Sequence, residues 1–395
     1  MNLKFLKKPI YISSALVLCT SSLLLGAFDK EKSLVSAAPI IHDSRFKIEK
    51  FAEFDLKPLR SFGMAISDGT NGFSKGLFVS TGPLPDRDRL LFIDPLGNIS
   101  VFKDGLVSNE GLIFAEGSYG NGLFVGEIAQ GRILRLQSDG SASVFSTGFS
   151  QPIPNSISLG PAQLTYGPDP KGIYEQVLYA SDFSSGNILR VNPDGSTELF
   201  ASLASLPLLR KAAAFQCAKC YTSNFNFNSN PGTGTISSVA LNGTSQNLIS
   251  GLEGLQLMTA APGGTFGNGI YVASEGLAPI VANNDGGVFI LEQNGNSLQP
   301  FVTGIDASQV VFDTQNILGG GMFISDFNEA LSPDKLNTIW RVTPTSGNIV
   351  YSNPCVPEPS TVLGTLALGT LGAASTLKRK LKPSQSTEKE TTKVS

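Results

Sequence analysis

Between about Arg45 and Asn353 the chain repeats one pattern roughly every 50 residues, and few folds accommodate such a period. Its clearest landmark is an apolar strand with an aromatic inside it. Copies stand at Gly76-Leu77-Phe78-Val79, Gly122-Leu123-Phe124-Val125, Val177-Leu178-Tyr179-Ala180, Gly269-Ile270-Tyr271-Val272 and Gly321-Met322-Phe323-Ile324. The aromatics are 46, 55, 92 and 52 residues apart, and 92 is twice 46, so a sixth copy is expected near residue 225. Tyr221-Thr222-Ser223-Asn224-Phe225 supplies it, matching Tyr179-Ala180-Ser181-Asp182-Phe183 and Phe323-Ile324-Ser325-Asp326-Phe327 position by position.

Turn glycines give the same count independently. They fall at Gly97, Gly140, Gly195, Gly243, Gly295 and Gly347, and five of the six follow Asn, Asp or Ser. Such pairs favour the positive φ of tight hairpins. A repeat of this length with about four short strands is the arithmetic of a β-propeller blade. The expected fold class is therefore all-β, a six-bladed β-propeller over residues 45–353, rather than two unrelated all-β domains. Only Leu203 to Ala214 suggests a short helix inside it. Outer-strand candidates number seven, around Phe51, Phe102, Phe145, Phe200, Ile249, Phe301 and Val350, whereas six blades need six. A strand from one terminus completing the blade of the other would latch the ring and hide its edges. The Tyr-x-Ser-Asp-Phe copies and the Ile188-to-Gly195 segment resemble the six-bladed NHL and gluconolactonase-like (senescence-marker) propellers.

Both ends of the chain read as addresses. Lys4, Lys7 and Lys8 precede an apolar run from Ile12 to Phe28, the pattern of a secretory signal peptide over residues 1–37. Cleavage is expected after Val35-Ser36-Ala37 or Leu25-Gly26-Ala27, with an uncleaved anchor or acylation at Cys19 as alternatives. At the other end Pro357-Glu358-Pro359 leads into an apolar stretch, Thr361 to Leu377, closed by Lys378, Arg379, Lys380 and Lys382. Seventeen helical residues span roughly 25 Å, enough for a thin hydrocarbon core, with the basic cluster cytoplasmic. Residues 356–382 resemble a PEP-CTERM sorting signal with its single transmembrane helix, followed by a polar tail at 383–395. That resemblance implies export across the inner membrane, transient anchoring through the C-terminal helix, an exosortase-type processing enzyme as partner, and a cell-surface, outer-envelope or extracellular destination. An exported chain permits disulfides, and Cys217 and Cys220 are the expected pair, with Cys355 left free or competing.

Chemistry is less legible. The 29 basic and 32 acidic residues leave no electrostatic footprint for nucleic acid. A single histidine, His42, lies upstream of the repeats in a segment expected to be mobile, which argues against His-based catalysis. Gly72-Phe73-Ser74-Lys75-Gly76 spells a nucleophile elbow but precedes a strand instead of joining strand to helix. In a propeller, inner strands begin on the face where second strands end. Thr81, Glu127, Asp182, Asn224, Glu275 and Asp326 should gather there with Glu110, Asn155 and Glu253. Carboxylate and amide oxygens suit calcium, and Glu110, Asn155, Asp182 and Asp326 are the candidate metal ligands. Glu110-Gly111 and Pro154-Asn155 resemble metal-binding elements of the lactonase-like propellers. The plainer reading is that these residues end strands and satisfy backbone donors. Two functions follow. One is a non-enzymatic binding or scaffolding module that recognises envelope polysaccharide or a surface protein. The other is a calcium-dependent lactonase or esterase.

Overall fold

A computed structural model describes residues 38–54, 60–82, 88–149, 160–203, 209–216, 219–225, 234–252, 254–275, 286–292, 297–326 and 336–352, together with Gly295. All lie in one compact unit that begins at Ala38. The expected signal peptide, the sorting signal and the polar tail lie outside the described residues. Among the described residues no helix is long and apolar enough to cross a membrane.

Six antiparallel sheets, five of four strands and one of five, are arranged as blades. From the axis outward, blade 1 comprises Arg60–Ser67, Gly76–Gly82, Asp88–Ile93 and Ile99–Leu106. Blade 2 comprises Asn109–Phe114, Leu123–Glu127, Arg132–Leu136 and Ala142–Ser146, and blade 3 Pro161–Pro168, Gln176–Asp182, Asn187–Val191 and Thr197–Ser202. Blade 4 is Leu209–Gln216, Lys219–Phe225, Gly234–Ala240 and Ser245–Leu252, and blade 5 is Leu255–Ala260, Ile270–Ser274, Gly287–Leu291 and Leu298–Thr303. Blade 6 takes Ala307–Phe312, Met322–Asp326 and Asn337–Pro344 from the end of the repeats and its outer strand, Phe46–Phe54, from the start.

The expected latch is therefore formed, and the N-terminal strand forms it. Residues 347–352 contribute no strand. Ring closure is visible in the turn glycines. An added Cβ on Gly195 would meet the carbonyl oxygen of Phe145 at 2.0 Å, one on Gly243 that of Phe200 at 2.6 Å, and one on Gly97 that of Phe51 at 2.8 Å. Phe51 thus stands toward blade 1 as Phe145 stands toward blade 3. All six turn glycines have positive φ, between 70° and 84°.

Apolar side chains form a wedge of core at each of the six blade interfaces, because each sheet is covered on both faces by its neighbours. Phe78, Leu90, Leu112 and Val125 join blades 1 and 2, and Met64, Val79, Phe323 and Ile339 join blades 6 and 1 with Ala52 and Phe54 of the latch. Some buried polar groups bond across the blade interfaces. The Tyr119 hydroxyl of blade 2 donates to Val191 O (2.6 Å) and accepts from Leu178 N (2.8 Å) of blade 3, and burial pushes its pKa up to about 12.

Three expectations are corrected. Leu203 to Ala214 holds no described helix; Leu209–Gln216 is the inner strand of blade 4. Ala212, Ala213 and Ala214 are buried there, and close packing between blades outweighs alanine's helix preference. Propeller structure is present before residue 45, since Ile40–Ile41 pairs with Thr303 and Val302 as a fifth strand of blade 5. His42 is held down too: its N–H donates to Phe301 O (2.9 Å) and its Nε2 lies 2.9 Å from Thr303 Oγ1.

Two stability tests follow. Phe46 packs against Phe266 and Phe301 of blade 5, at 5.2 and 5.3 Å between ring centroids, so Phe46→Ala should cost about 3–5 kcal/mol in urea unfolding. In blade 3, buried Asp169 accepts from the N–H groups of Lys171, Ile173 and Tyr174 and pairs with Arg190 Nη2 at 3.1 Å. Burial raises its pKa, but the hydrogen bonds from Lys171, Tyr174 and Arg190 outweigh that and hold it below the usual carboxylate value. Its stabilisation is complete above the unfolded pKa near ~4 and lost as pH falls through the lower folded value. Asp169→Asn should lose about 3 kcal/mol at pH 7 and show a shallower acid limb in a pH series of melting curves.

Candidate functional site

The face on which second strands end and inner strands begin is the mouth of the ring; the opposite one is the hairpin face. Every inner strand bulges near the mouth, between Ser61 and Met64 in blade 1 and between Asn109 and Leu112 in blade 2, with equivalents at 161–164, 210–212, 255–258 and 307–309. A bulge leaves backbone groups without ladder partners. Second-strand serines take them up. Ser80 Oγ accepts from Gly63 N at 2.7 Å and donates to Glu110 O of blade 2 at 2.9 Å. Ser325 Oγ accepts from Gln309 N at 3.0 Å and donates to Phe62 O of blade 1 at 3.2 Å. Ser223 donates to Gln256 O of blade 5 at 3.2 Å. Ser223 and Ser325, the serines of two of the Tyr-x-Ser-Asp-Phe copies, are thus staples between blades, as is Ser80.

The acidic residue beside it has a comparable task. Glu127 Oε1 accepts from Val107 N (3.0 Å), on the crossover from blade 1, and its Oε2 accepts from Arg132 Nε (2.5 Å). Asp326 Oδ1 accepts from Asp306 N (3.1 Å), on the crossover from blade 5, and its Oδ2 from Trp340 Nε1 (2.9 Å). Asp182 Oδ2 accepts from the Ser185 hydroxyl (2.7 Å), and Asn224 Oδ1 from Thr235 N. Thr81 Oγ1 pairs with the backbone of Arg89.

Glu110 lies buried in the blade 2 bulge, and Asp182 and Asp326 are buried at their strand ends. Asn155 and Glu253 lie outside the described residues. Among the described residues no three acidic, histidine or cysteine side chains come close enough to hold a metal ion. The buried acceptors Asn109 Oδ1 and Gln256 Oε1 at the mouth have no partner among the described residues, while Gln256 Nε2 donates to Glu275 Oε1 at 2.6 Å.

Sequence reasoning missed the glutamines below the mouth. Gln163 of blade 3 donates to Met258 O of blade 5 (2.6 Å) and accepts from Ala213 N of blade 4 (3.1 Å) and Met258 N (3.3 Å). Gln309 of blade 6 accepts from Met64 N of blade 1. One residue below the level of Glu110, the channel thus has a polar floor tying blades 3, 4 and 5 together. A signal was present: both glutamines sit two residues into an inner strand whose partner carries Ser181 or Ser325. A cavity of about 620 Å³ among the described residues lies elsewhere, on the hairpin side of blade 6, walled by Lys47, Glu49, Asn316, Arg341, Asn348 and Tyr351. Cys220 is a free thiol in the core between blades 3 and 4, its pKa raised by burial, which corrects the expected bridge at that position; Cys217 lies outside the described residues. The nucleophile-elbow spelling is a turn, with Gly72 at φ 82° and Phe73 in the core.

Comparison with known proteins supports this architecture and names the C-terminal segment. Residues 356–380 match the family model of the PEP-CTERM protein-sorting motif, which implies an exported protein sorted to the cell envelope or surface and processed by an exosortase. Curated protein sequences yielded no match. Among solved structures the chain is similar to a gluconolactonase from Xanthomonas campestris, with 17% identity, TM-score 0.54, and coverage of 78% of this chain and 94% of that one. A second structure assigned to the gluconolactonases has 13% identity, TM-score 0.50, and coverage of 79% and 96%. A virginiamycin B lyase from Staphylococcus aureus has 14% identity, TM-score 0.45, and coverage of 75% and 99%. At these identities the likeness is one of fold, a gluconolactonase-like six-bladed propeller.

The staple reading is testable. Ser325→Ala leaves the Gln309 N–H without its acceptor at a blade interface and should cost about 1–3 kcal/mol in denaturant unfolding. Exposed Ser346→Ala, near the last blade's edge, should change stability by less than ~0.5 kcal/mol.

Proposed function

We propose that the chain is an exported propeller that works as a binding or scaffolding module in the cell envelope or extracellular matrix, recognising envelope polysaccharide or a surface protein at its mouth. One observation carries this reading: the mouth carboxylates Glu127 and Asp326 are engaged in holding the crossovers between blades. Groups bound this way stiffen the rim and are costly to recruit for chemistry, since freeing them strands backbone donors. A stiff rim suits recognition, because loops on a rigid scaffold can carry contacts without disturbing the core.

The lactonase reading is favoured by one feature, the unpartnered acceptors Asn109 Oδ1 and Gln256 Oε1 beside buried Glu110. Calcium separates the two. A site held at a hundred times its Kd would add about 2.7 kcal/mol of stability. Trp340, the sole tryptophan, donates to Asp326, so a cation that recruits Asp326 would also shift its emission. The binding reading expects neither a rise in melting temperature nor an emission change with calcium, no lactone turnover, and co-sedimentation of the full chain with isolated envelope polysaccharide or surface-protein fractions. Calcium-dependent lactone turnover lost in Glu110→Ala would replace it with the enzyme reading.

A further inference from the structure

The last described residues leave the ring in a defined place. Val350 N donates to Thr265 Oγ1 (2.8 Å), and Thr265 N donates to Val350 O (2.8 Å). Thr265 belongs to the turn joining the inner two strands of blade 5 on the hairpin face. The Tyr351 hydroxyl accepts from Gly321 N of blade 6 (3.0 Å), and its ring stacks on Phe266 at 6.3 Å between centroids. The contact is intimate: a Cβ on Gly264 would meet Val350 O, and one on Gly263 would meet Ser352 O, both at 2.1 Å. Ile349 to Ser352 therefore form a strap seated across blades 5 and 6, and the chain departs from the hairpin face.

Eight residues, 353–360, separate this strap from the apolar stretch that begins at Thr361. Fully extended they reach at most ~28 Å. Blade strands of five to eight residues are ~17–26 Å long, so the mouth is farther from the strap's exit by about that height. We infer that, before processing, the strap holds the hairpin face toward the lipid surface and turns the mouth outward, away from the membrane. Exposed turn residues Asp139 and Asp194 on the hairpin face do not attract an anionic bilayer, so the tether sets this orientation, not adhesion. The inference rests on the reading of Thr361 to Leu377 as a membrane span. Its consequence is that a ligand outside the cell meets the mouth first, and the sorting machinery meets the hairpin side.

Blade 2, across the ring from the strap, supplies reporters on both faces. Asn121 is exposed in its inner hairpin, and Gln130 is exposed on its mouth side. The full chain is reconstituted in phosphatidylethanolamine–phosphatidylglycerol vesicles carrying headgroup quenchers. An azide-bearing amino acid at either position is coupled to a fluorophore. The label at 121 should be quenched several-fold more than the label at 130. Val350→Pro combined with Tyr351→Ala removes the strap's N–H bond to Thr265 Oγ1 and its hydroxyl bond from Gly321 N, and should bring the two labels to similar quenching with the far-ultraviolet dichroism unchanged. Equal or reversed quenching in the intact chain, with the protein still floating with the vesicles, overturns the orientation alone. Failure to float overturns it together with the membrane-span reading.

Discussion

The pairing of Phe46–Phe54 with Asn337–Pro344 is the interaction on which the rest of the molecule depends. Five blade interfaces can form between segments adjacent in sequence, but the sixth must bring together residues nearly 300 positions apart. Without the latch, blade 6 would present an open edge and the wedge of Met64, Val79, Phe323 and Ile339 would lose Ala52 and Phe54 from its cover. A sheet edge left open invites pairing with other chains. Closure also places Gln309 against Met64 N and Ser325 against Phe62 O, so the polar bonds at the mouth of blades 6 and 1 exist only in the closed ring. The loop entropy of that closure grows only slowly with length, whereas the core it completes is of ordinary interface size.

Closure explains why the second strands carry serine and acid where they do. A bulged inner strand exposes an N–H and a C=O that no ladder partner reaches. Serine is short enough to stay within the blade and bifunctional enough to accept from its own bulge and donate to the next blade, as Ser80 and Ser325 do. The adjacent acid, one position nearer the mouth, reaches the crossover that enters the same blade. Glu127 and Asp326 do this with side chains of different length, which is why the repeat tolerates either.

The repeat was legible because it rests on backbone constraints that allow few residues. Gly195 and Gly97 must be glycine both for φ and for the close approach of a neighbouring carbonyl, so they mark blades in the sequence as sharply as in space. Seven outer-strand candidates for six blades announced a latch, although nothing in the residues themselves told Phe51 from Val350. The inner strand Leu209–Gln216 was illegible because its alanines favour a helix until neighbouring blades are present to bury them. The mouth was half legible. Acid at the strand ends could be located by counting, but its occupation by crossover N–H groups depends on the bulge, which leaves no mark on the residue pattern. Cys220 misled for a similar reason: its spacing from Cys217 suggested a bridge, while its place in the strand directs the thiol into the core between blades 3 and 4.

These constraints confine freedom to one face. On the hairpin side, the turns are pinned by glycine approaches, by the Tyr119 hydroxyl, and by carboxylates such as Asp313, which accepts from the N–H groups of Ile317, Leu318 and Gly320. On the mouth side the second and third strands are joined by four residues in blades 2 and 3, but by eight, twelve and ten in blades 4, 5 and 6. Lengthening a connection whose ends are already fixed costs little, since closure entropy rises only logarithmically. The staples and acids at the strand ends supply those fixed ends. The same groups that hold the crossovers between blades therefore make the mouth the face whose connections are able to vary in length.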